Sequence, residues 1–326
     1  MNLYIVNLSS NELKVKCYFV IELIACRERE YILKHEKGDG RMKYLVTGAT
    51  GKLGSKIVEE LLKSIDTSDL AVSVRNPEKA ASLKERGVDV RHGDFDQPDT
   101  LDEAFKGVER LLIISADGDN DTRIRQHTNA VEAAKRADVS FIAYTSLADA
   151  TDSENLMAPP HVVTEEAIVE SGIPYAFLRN NWYLENELSS MQAVVDGAPW
   201  ITAARDGKVG WALQQDYAEA AANVLLKEQQ ESAVYELSGP LHTQQDLVDA
   251  LSEVLGREVM MQELSLEAYE ETMRGAGMPD DLVALLAGIQ RSIRQGTLEI
   301  HESDFEPVLG RPVTPLQEGI RQLLDR

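Results

Sequence analysis

Beyond residue 42 the chain alternates between two rhythms. Short, nearly continuous apolar runs recur at 44–47, 70–74, 88–92, 110–115, 140–145 and 175–179, and between them lie stretches such as 52–64 and 121–137 with helical spacing. Runs such as LLIIS and FIAYTS place apolar residues at consecutive rather than alternate positions, as strands covered on both faces do. Short apolar strands separated by helices predict a parallel sheet with right-handed crossovers. The expected fold class is therefore α/β, a doubly wound parallel sheet.

After about residue 185 the rhythm loosens. DGAPW and RDGKVG read as turns. DYAEAAANVLLKE and TQQDLVDALSEVLG read as helices with Gln215 or Asp216, and Thr243, near their starts, and AVYELSG as a short strand between them. Gly275, Gly277 and Pro279 form a predicted turn within the last helical stretches, around 266–295. The chain thus divides into a large lobe over 42–185 and a smaller, mostly helical lobe over 186–326. The strand near 233–238 is expected to return to the main sheet.

Residues 1–41 do not share this pattern. They hold both cysteines, Cys17 and Cys26, and an apolar patch, CYFVIELIAC, broken by Glu22 and followed by RERE. The patch is too short to span a bilayer and lacks the small-residue cleavage site of a signal peptide. Lys37-Gly38-Asp39 can be encoded by a purine-rich ribosome-binding sequence shortly before the codon of Met42. Translation is accordingly expected to begin at Met42, with 1–41 a non-native or disordered extension. The alternative is a genuine extension that packs as an extra helix.

Composition narrows the class. Of 326 residues, 43% are hydrophobic and 27% charged, the balance of an ordinary globular protein. No stretch approaches the roughly 18 apolar residues of a membrane-spanning helix. A formal net charge of -22 argues against nucleic acid, since phosphate contacts require Lys and Arg to displace counterions. It reads instead as a solubilising surface. Cysteines confined to 1–41 exclude a disulfide framework or thiolate cluster elsewhere and fit a reducing, cytoplasmic compartment.

The candidate chemistry begins at KYLVTGATGKLGSKIVEELL, where Gly48, Gly51 and Gly54 lie between the first strand and the first helix. A helix N-terminus carries unpaired N–H groups and partial positive charge, and glycine lets a pyrophosphate approach the backbone closely. Here Gly48 turns the chain, Gly51 permits the approach and Gly54 lets the helix pack on the strand. NAD-selective sites place Asp or Glu about 20 residues after this loop. This chain instead reads AVSVRNPEK, with Arg75 at the strand end, Lys79 one helical turn later, and Glu78 as the nearest acid. A guanidinium there suits a 2′-phosphate, so NADPH is expected, with NADH as a weaker substitute.

With TGATGKLG, VRNPEKA, RHGDFDQPDTL, FIAYTSL, HVVTEEAIVESGIPYAFLRNNWYLEN and DGKVGWALQQDYAEAAA in order, the chain resembles the NmrA-like branch of the atypical short-chain dehydrogenases. Within it, the chain is most similar to the NAD(P)H:quinone oxidoreductase type 2 and triphenylmethane reductase subgroup. The resemblance covers nearly all of 42–326 and implies a Rossmann-like fold. It implies that Gly48, Ala49, Thr50, Gly51, Lys52 and Leu53 hold the pyrophosphate and Arg75 the 2′-phosphate. It further implies that Asp94 and Phe95 border the adenine, that Ser115 and Ala116 line the cofactor path, and that Tyr144, Thr145 and Ser146 end the fifth strand near the nicotinamide.

One departure bears on mechanism. Typical short-chain dehydrogenases use a Tyr with a Lys four residues later, and no such pair follows the fifth strand here. Where related reductases place a catalytic Lys, this chain has His161, in APPHVVTEEA. With an unperturbed pKa of about 6.5 His161 is a candidate proton donor. In the first turn of a helix, the dipole disfavours imidazolium and leaves a neutral imidazole. The alternative is a helix-start histidine bonded to backbone. Asn180, Asn181, Trp182 and Tyr183 follow the sixth strand, where an amide can orient a carboxamide or carbonyl and an aromatic face can stack on a planar acceptor. Trp182 and Tyr183 read equally as packing between lobes. Trp211 and Met191 read as core, and His127 as a partly buried helix histidine without chemistry.

The catalytic candidates are therefore His161, Tyr144, Asn180 and Tyr183. The expected activity is NADPH-dependent hydride transfer to a quinone or similar planar, electron-poor small molecule, without flavin or metal. Homo-oligomerisation stays open. The alternative is an NADP(H)-binding redox sensor that reports through a protein partner without turnover. A nucleotide-sugar epimerase is disfavoured by the missing Tyr/Lys pair.

Overall fold

A computed structural model describes residues 43–151, 157–228 and 231–325. The expectation for 1–41 lies outside the described residues. The chain runs β1 (Tyr44–Thr47), α1 (Lys52–Leu61), β2 (Leu70–Val74), α2 (Ala81–Glu85), β3 (Asp89–His92), α3 (Pro98–Ala104), β4 (Arg110–Ile113), α4 (Asn120–Arg136), β5 (Phe141–Leu147), α5 (Ala158–Ser171) and β6 (Tyr175–Asn180). There follow α6 (Leu188–Val195), β7 (Trp200–Thr202), β8 (Lys208–Val209), α7 (Gln214–Leu226), β9 (Ala233–Leu237), β10 (His242–Thr243), α8 (Gln244–Leu255) and β11 (Met261–Glu263). The chain closes with α9 (Leu266–Gly275), α10 (Asp280–Arg294), α11 (Phe305–Leu309) and α12 (Leu316–Leu323).

Seven parallel strands form one sheet in the order β3-β2-β1-β4-β5-β6-β9. The order reverses between β1 and β4, so the crevice at their carboxyl ends is the switch point where ligands bind in such sheets. Thr47 ties the two strands there: its Oγ1 donates to the Leu112 carbonyl at 3.2 Å and accepts from Ile114 N–H at 3.0 Å.

Both faces of the sheet are covered, which is why its strands read as unbroken apolar runs. Val46, Leu112, Ala143 and Leu178 face α1 and α7, and Leu45, Leu111, Ile142, Tyr144 and Phe177 face the α3–α4–α5 side. At the opposite, amino-terminal edge Arg110 is 1% exposed. Its guanidinium lies 4.5 Å over the Phe141 ring and donates to the Val224 carbonyl in the last turn of α7, where the negative dipole end offsets its charge.

A second core cluster gathers Trp182, Met191, Trp200, Trp211, Leu247, Leu251, Ile293 and Ile320. Met191 and Trp211 are core, as read from the sequence. Thr243 caps α8 in a reciprocal box with Asp246, which satisfies two backbone donors at once. Gln215 and Asp216 lie in the first turn of α7, as read from the sequence, but neither caps it; the Gln214 N–H is taken by the Glu185 carboxylate. Asp216 is fully buried and holds Arg311 and Thr314 instead.

Candidate active site

The glycine loop sits at the switch point. Gly48 has φ +61, a left-handed conformation that glycine adopts without strain, and its carbonyl accepts the Gly51 N–H at 2.9 Å. A Cβ on Gly54 would stand 2.2 Å from that same carbonyl oxygen, so the absence of a side chain brings α1 onto the loop. The helix has Gly51 at its N-cap, no side-chain cap and no acid in its first turn. Its first N–H groups are thus left for a ligand. Gly48, Thr50, Gly51 and Lys52 are exposed, whereas Ala49, Leu53 and Gly54 are buried.

Arg75, just past β2, is exposed, as is Lys79, and neither forms an ion pair among the described residues. Asp94 is occupied locally: its carboxylate accepts from Asp96 N–H and from Gln97 Nε2, each at 3.0 Å. Phe95 packs edge-on to His127 with ring centroids 6.4 Å apart. Past β4, Ser115 N–H donates to Thr145 Oγ1 at 2.9 Å and Ala116 N–H to His127 Nε2 at 2.9 Å. Ser146 donates to Glu165 Oε1 at 2.6 Å, and Arg179 pairs with both Glu165 and Glu236.

The four catalytic candidates fall into two groups. Tyr144 and His161 are 0% and 5% exposed, and Tyr144 Oη lies 3.0 Å from His161 Nδ1. Burial, helped by the charge of Arg123, lowers the His161 pKa to about 3. The imidazole is neutral, as the helix position suggested, but burial and a guanidinium are the causes. Burial pushes the Tyr144 phenol up to about 12.

Asn180 and Tyr183 form the second group, beyond β6. Asn180 Nδ2 donates to Tyr183 Oη at 3.0 Å, while Asn180 Oδ1 is buried without a partner, an acceptor that a ligand N–H would satisfy. Tyr183 meets Tyr217 edge-on at 5.0 Å, and burial raises its phenol to about 12. Asn181 and Trp182 point elsewhere. Asn181 ties Ser238 and the Leu298 carbonyl together, and Trp182 donates to Glu187.

The uncapped helix N-terminus and the exposed Arg75 offer donors of the type that a pyrophosphate and a 2′-phosphate accept. The profile of the NmrA-like family matches residues 41–303. The chain belongs to the NmrA-like family. It is 39% identical over 281 residues to quinone oxidoreductase 2 of Escherichia coli (strain K12), covering 86% of this chain and 98% of that protein. The NADPH complex of the E. coli NADPH-dependent quinone oxidoreductase superposes with a TM-score of 0.82 at 39% identity, over 86% of this chain and 99% of that one. The Citrobacter sp. triphenylmethane reductase complexed with NADP(H) superposes with a TM-score of 0.83 at 38% identity, over 86% and 100%.

Three polar groups of this NmrA-like chain escaped the sequence reading. Arg123 reaches both Ser115 and His161, and His127, read as partly buried, is fully buried and holds Ala116. Glu187 Oε1 accepts from the indole N–H groups of Trp182, at 3.1 Å, and Trp211, at 3.2 Å. Nothing in NNWYLENE marks its last acid as the one that bridges the two indoles.

Burial raises the Glu187 pKa above its ordinary 4.5. A raised folded-state pKa adds stability below the unfolded value and loses it as pH rises through the folded one. Glu187→Gln keeps an oxygen for both indoles and removes the ionisation. The variant is expected to gain stability relative to wild type as pH rises from about 4.5 to 8, measured by urea unfolding at each pH. A pH-independent difference would contradict the burial of this carboxyl. Glu187→Leu, leaving two indole donors unpaired, is expected to cost about 1–3 kcal/mol for each.

Proposed function

We propose that this NAD(P)H-dependent oxidoreductase uses NADPH to reduce a quinone or a similar planar, electron-poor acceptor. When bound, NADPH supplies hydride. A quinone takes that hydride and one proton to become the hydroquinone, and NADP+ remains. The proton comes from solvent or from a weak acid at the edge of the site. The protein's contribution is to hold donor and acceptor in contact and exclude water.

In this reading the first-turn amides of α1 and residues Gly48 to Leu53 hold the pyrophosphate, and Arg75 with Lys79 holds the 2′-phosphate. Asp94 and Phe95 border the adenine, and Ser115, Ala116, Thr145 and Ser146 line the path to the nicotinamide. Asn180 orients an amide N–H of the ligand through its unpartnered oxygen, and Tyr183 offers an aromatic face to the acceptor. Tyr144 and His161 act from behind, through the hydrogen bonds that join them to the loop after β4.

The observation that carries the quinone reading is the likeness to the E. coli quinone oxidoreductase over nearly that protein's whole length, beside the polar and aromatic residues that follow β5 and β6. Steady-state oxidation of NADPH and of NADH, each with 1,4-benzoquinone and with a triphenylmethane dye, tests it. Flavin-free turnover of the quinone that favours NADPH is expected. Tight NADP(H) binding without turnover of any acceptor would replace the enzyme with a redox sensor.

A further inference from the structure

The loop after β4 is held from behind by five side chains that are 0 to 7% exposed: Arg123 and His127 from α4, Tyr144 from β5, and His161 and Thr164 from α5. Donor and acceptor accounting assigns the ring protons. A guanidinium only donates, so Arg123 Nη2, 2.8 Å from His161 Nε2, makes that nitrogen an acceptor. The His161 proton therefore lies on Nδ1, which donates to Tyr144 Oη at 3.0 Å. His127 follows the same rule: Nε2 accepts from Ala116 N–H, so Nδ1 donates to Thr164 Oγ1 at 2.8 Å, and Thr164 donates to the Pro160 carbonyl at 2.6 Å.

Arg123 Nη2 also donates to Ser115 Oγ at 2.9 Å, while its Nε is buried without a partner. No carboxylate among the described residues forms an ion pair with it. Two acids act on this region. Asp117, in the loop after β4, acts on Arg123 through space, and Glu165, one turn past His161, is engaged by Ser146 and Arg179. A buried cation without a counter-ion is costly, and this one stands directly behind the loop that borders the proposed cofactor path.

We propose that Arg123 is a positioning residue: it locks His161 as the neutral Nδ1–H tautomer and sets behind Ser115 a positive charge that has no ion-pair partner among the described residues. Its catalytic consequence rests on the acceptor site proposed above; the tautomer assignment does not. As hydride reaches a quinone, negative charge grows on the acceptor oxygen, and a fixed cation in a water-poor setting stabilises it without reorganisation. Burial and Arg123 both oppose imidazolium, at His161 and, with a pKa lowered to about 4, at His127.

The test separates the two parts. Two-bond ¹H–¹⁵N spectra of the cofactor-free, full-length chain with ¹⁵N-labelled histidine, from about pH 5.5 to 8, report tautomer and charge. His161→Gln and His127→Gln assign the signals. Both rings are expected to remain neutral Nδ1–H throughout. Arg123→Met is expected to move the His161 Nε2 resonance and release its single tautomer. A wild-type His161 that is Nε2-protonated, or that titrates near about 6.5, overturns the assignment whatever the acceptor proves to be.

In turnover, Arg123→Met is expected to lower kcat about 100-fold with a far smaller change in NADPH dissociation constant, and Arg123→Lys to recover part of the loss. An unchanged kcat in the Met variant overturns the proposed field. If that variant does not fold, the wild-type spectra and the Lys variant still decide.

Discussion

Gly54→Ala is expected to lose NADPH binding by about 100-fold, equivalent to about 2.7 kcal/mol, and to destabilise the chain by about 1–3 kcal/mol. The added Cβ would lie 2.2 Å from the Gly48 oxygen, 2.8 Å from its carbonyl carbon and 3.0 Å from Ala49 Cα. All three are backbone atoms in the loop that turns from β1, so no side-chain rotation can relieve the contact. Helix α1 must move, and the amides proposed to hold the pyrophosphate move with it. Gly51→Ala, whose Cβ would meet the same oxygen at 3.2 Å, is expected to have a much smaller effect on stability while still weakening NADPH binding, because its side chain would stand where the pyrophosphate approaches the backbone. Calorimetric titration with NADPH and urea unfolding measure the two losses. Wild-type affinity in Gly54→Ala would contradict the placement of the pyrophosphate.

Arg75→Ala is expected to lower kcat/KM for NADPH about 100-fold while changing that for NADH by less than about threefold. A hydrogen bond to a charged group contributes about 1.5–3 kcal/mol, and Arg75 has no protein ion pair among the described residues to confound the loss. The exposed location adds a second signature: raising salt should weaken NADPH binding in wild type more than in the variant. Equal losses with the two cofactors would remove the 2′-phosphate from this position.

Much of the parallel sheet was legible because it is covered on both faces. The read strands at 44–47 and 70–74 coincide with β1 and β2, and the others differ only by a residue or two at their ends. The strand order was accessible only through the resemblance, since a βα rhythm alone does not say on which side of β1 each strand is laid. Helix α7 illustrates what local reading misses. An acid near a helix start reads as a cap, yet Asp216 is taken by residues near the C-terminus, and Glu185 supplies the cap from before the helix.

The site divides along the same line. The glycine loop and Arg75 could be proposed from the sequence because each signal lies within a few residues of a strand end. The contact of His161 with Arg123 could not, because the two are 38 residues apart in sequence. Arg123 itself lies in NDTRIRQH, among polar neighbours that read as a solvated helix face. Only the packing of α4 against α5 turns that arginine inward. Buried charges paired across elements leave no periodic trace in the chain.

On the reading proposed above, the β1–β4 switch point holds NADPH against a planar acceptor so that hydride passes directly between them. Single-turnover mixing of the NADPH complex with 1,4-benzoquinone, without added flavin, tests it most directly. The account predicts that bound NADPH is consumed one-for-one with hydroquinone formed, and faster than free NADPH under the same conditions. Bound NADPH that stays reduced, or is oxidised no faster than in solution, would contradict it.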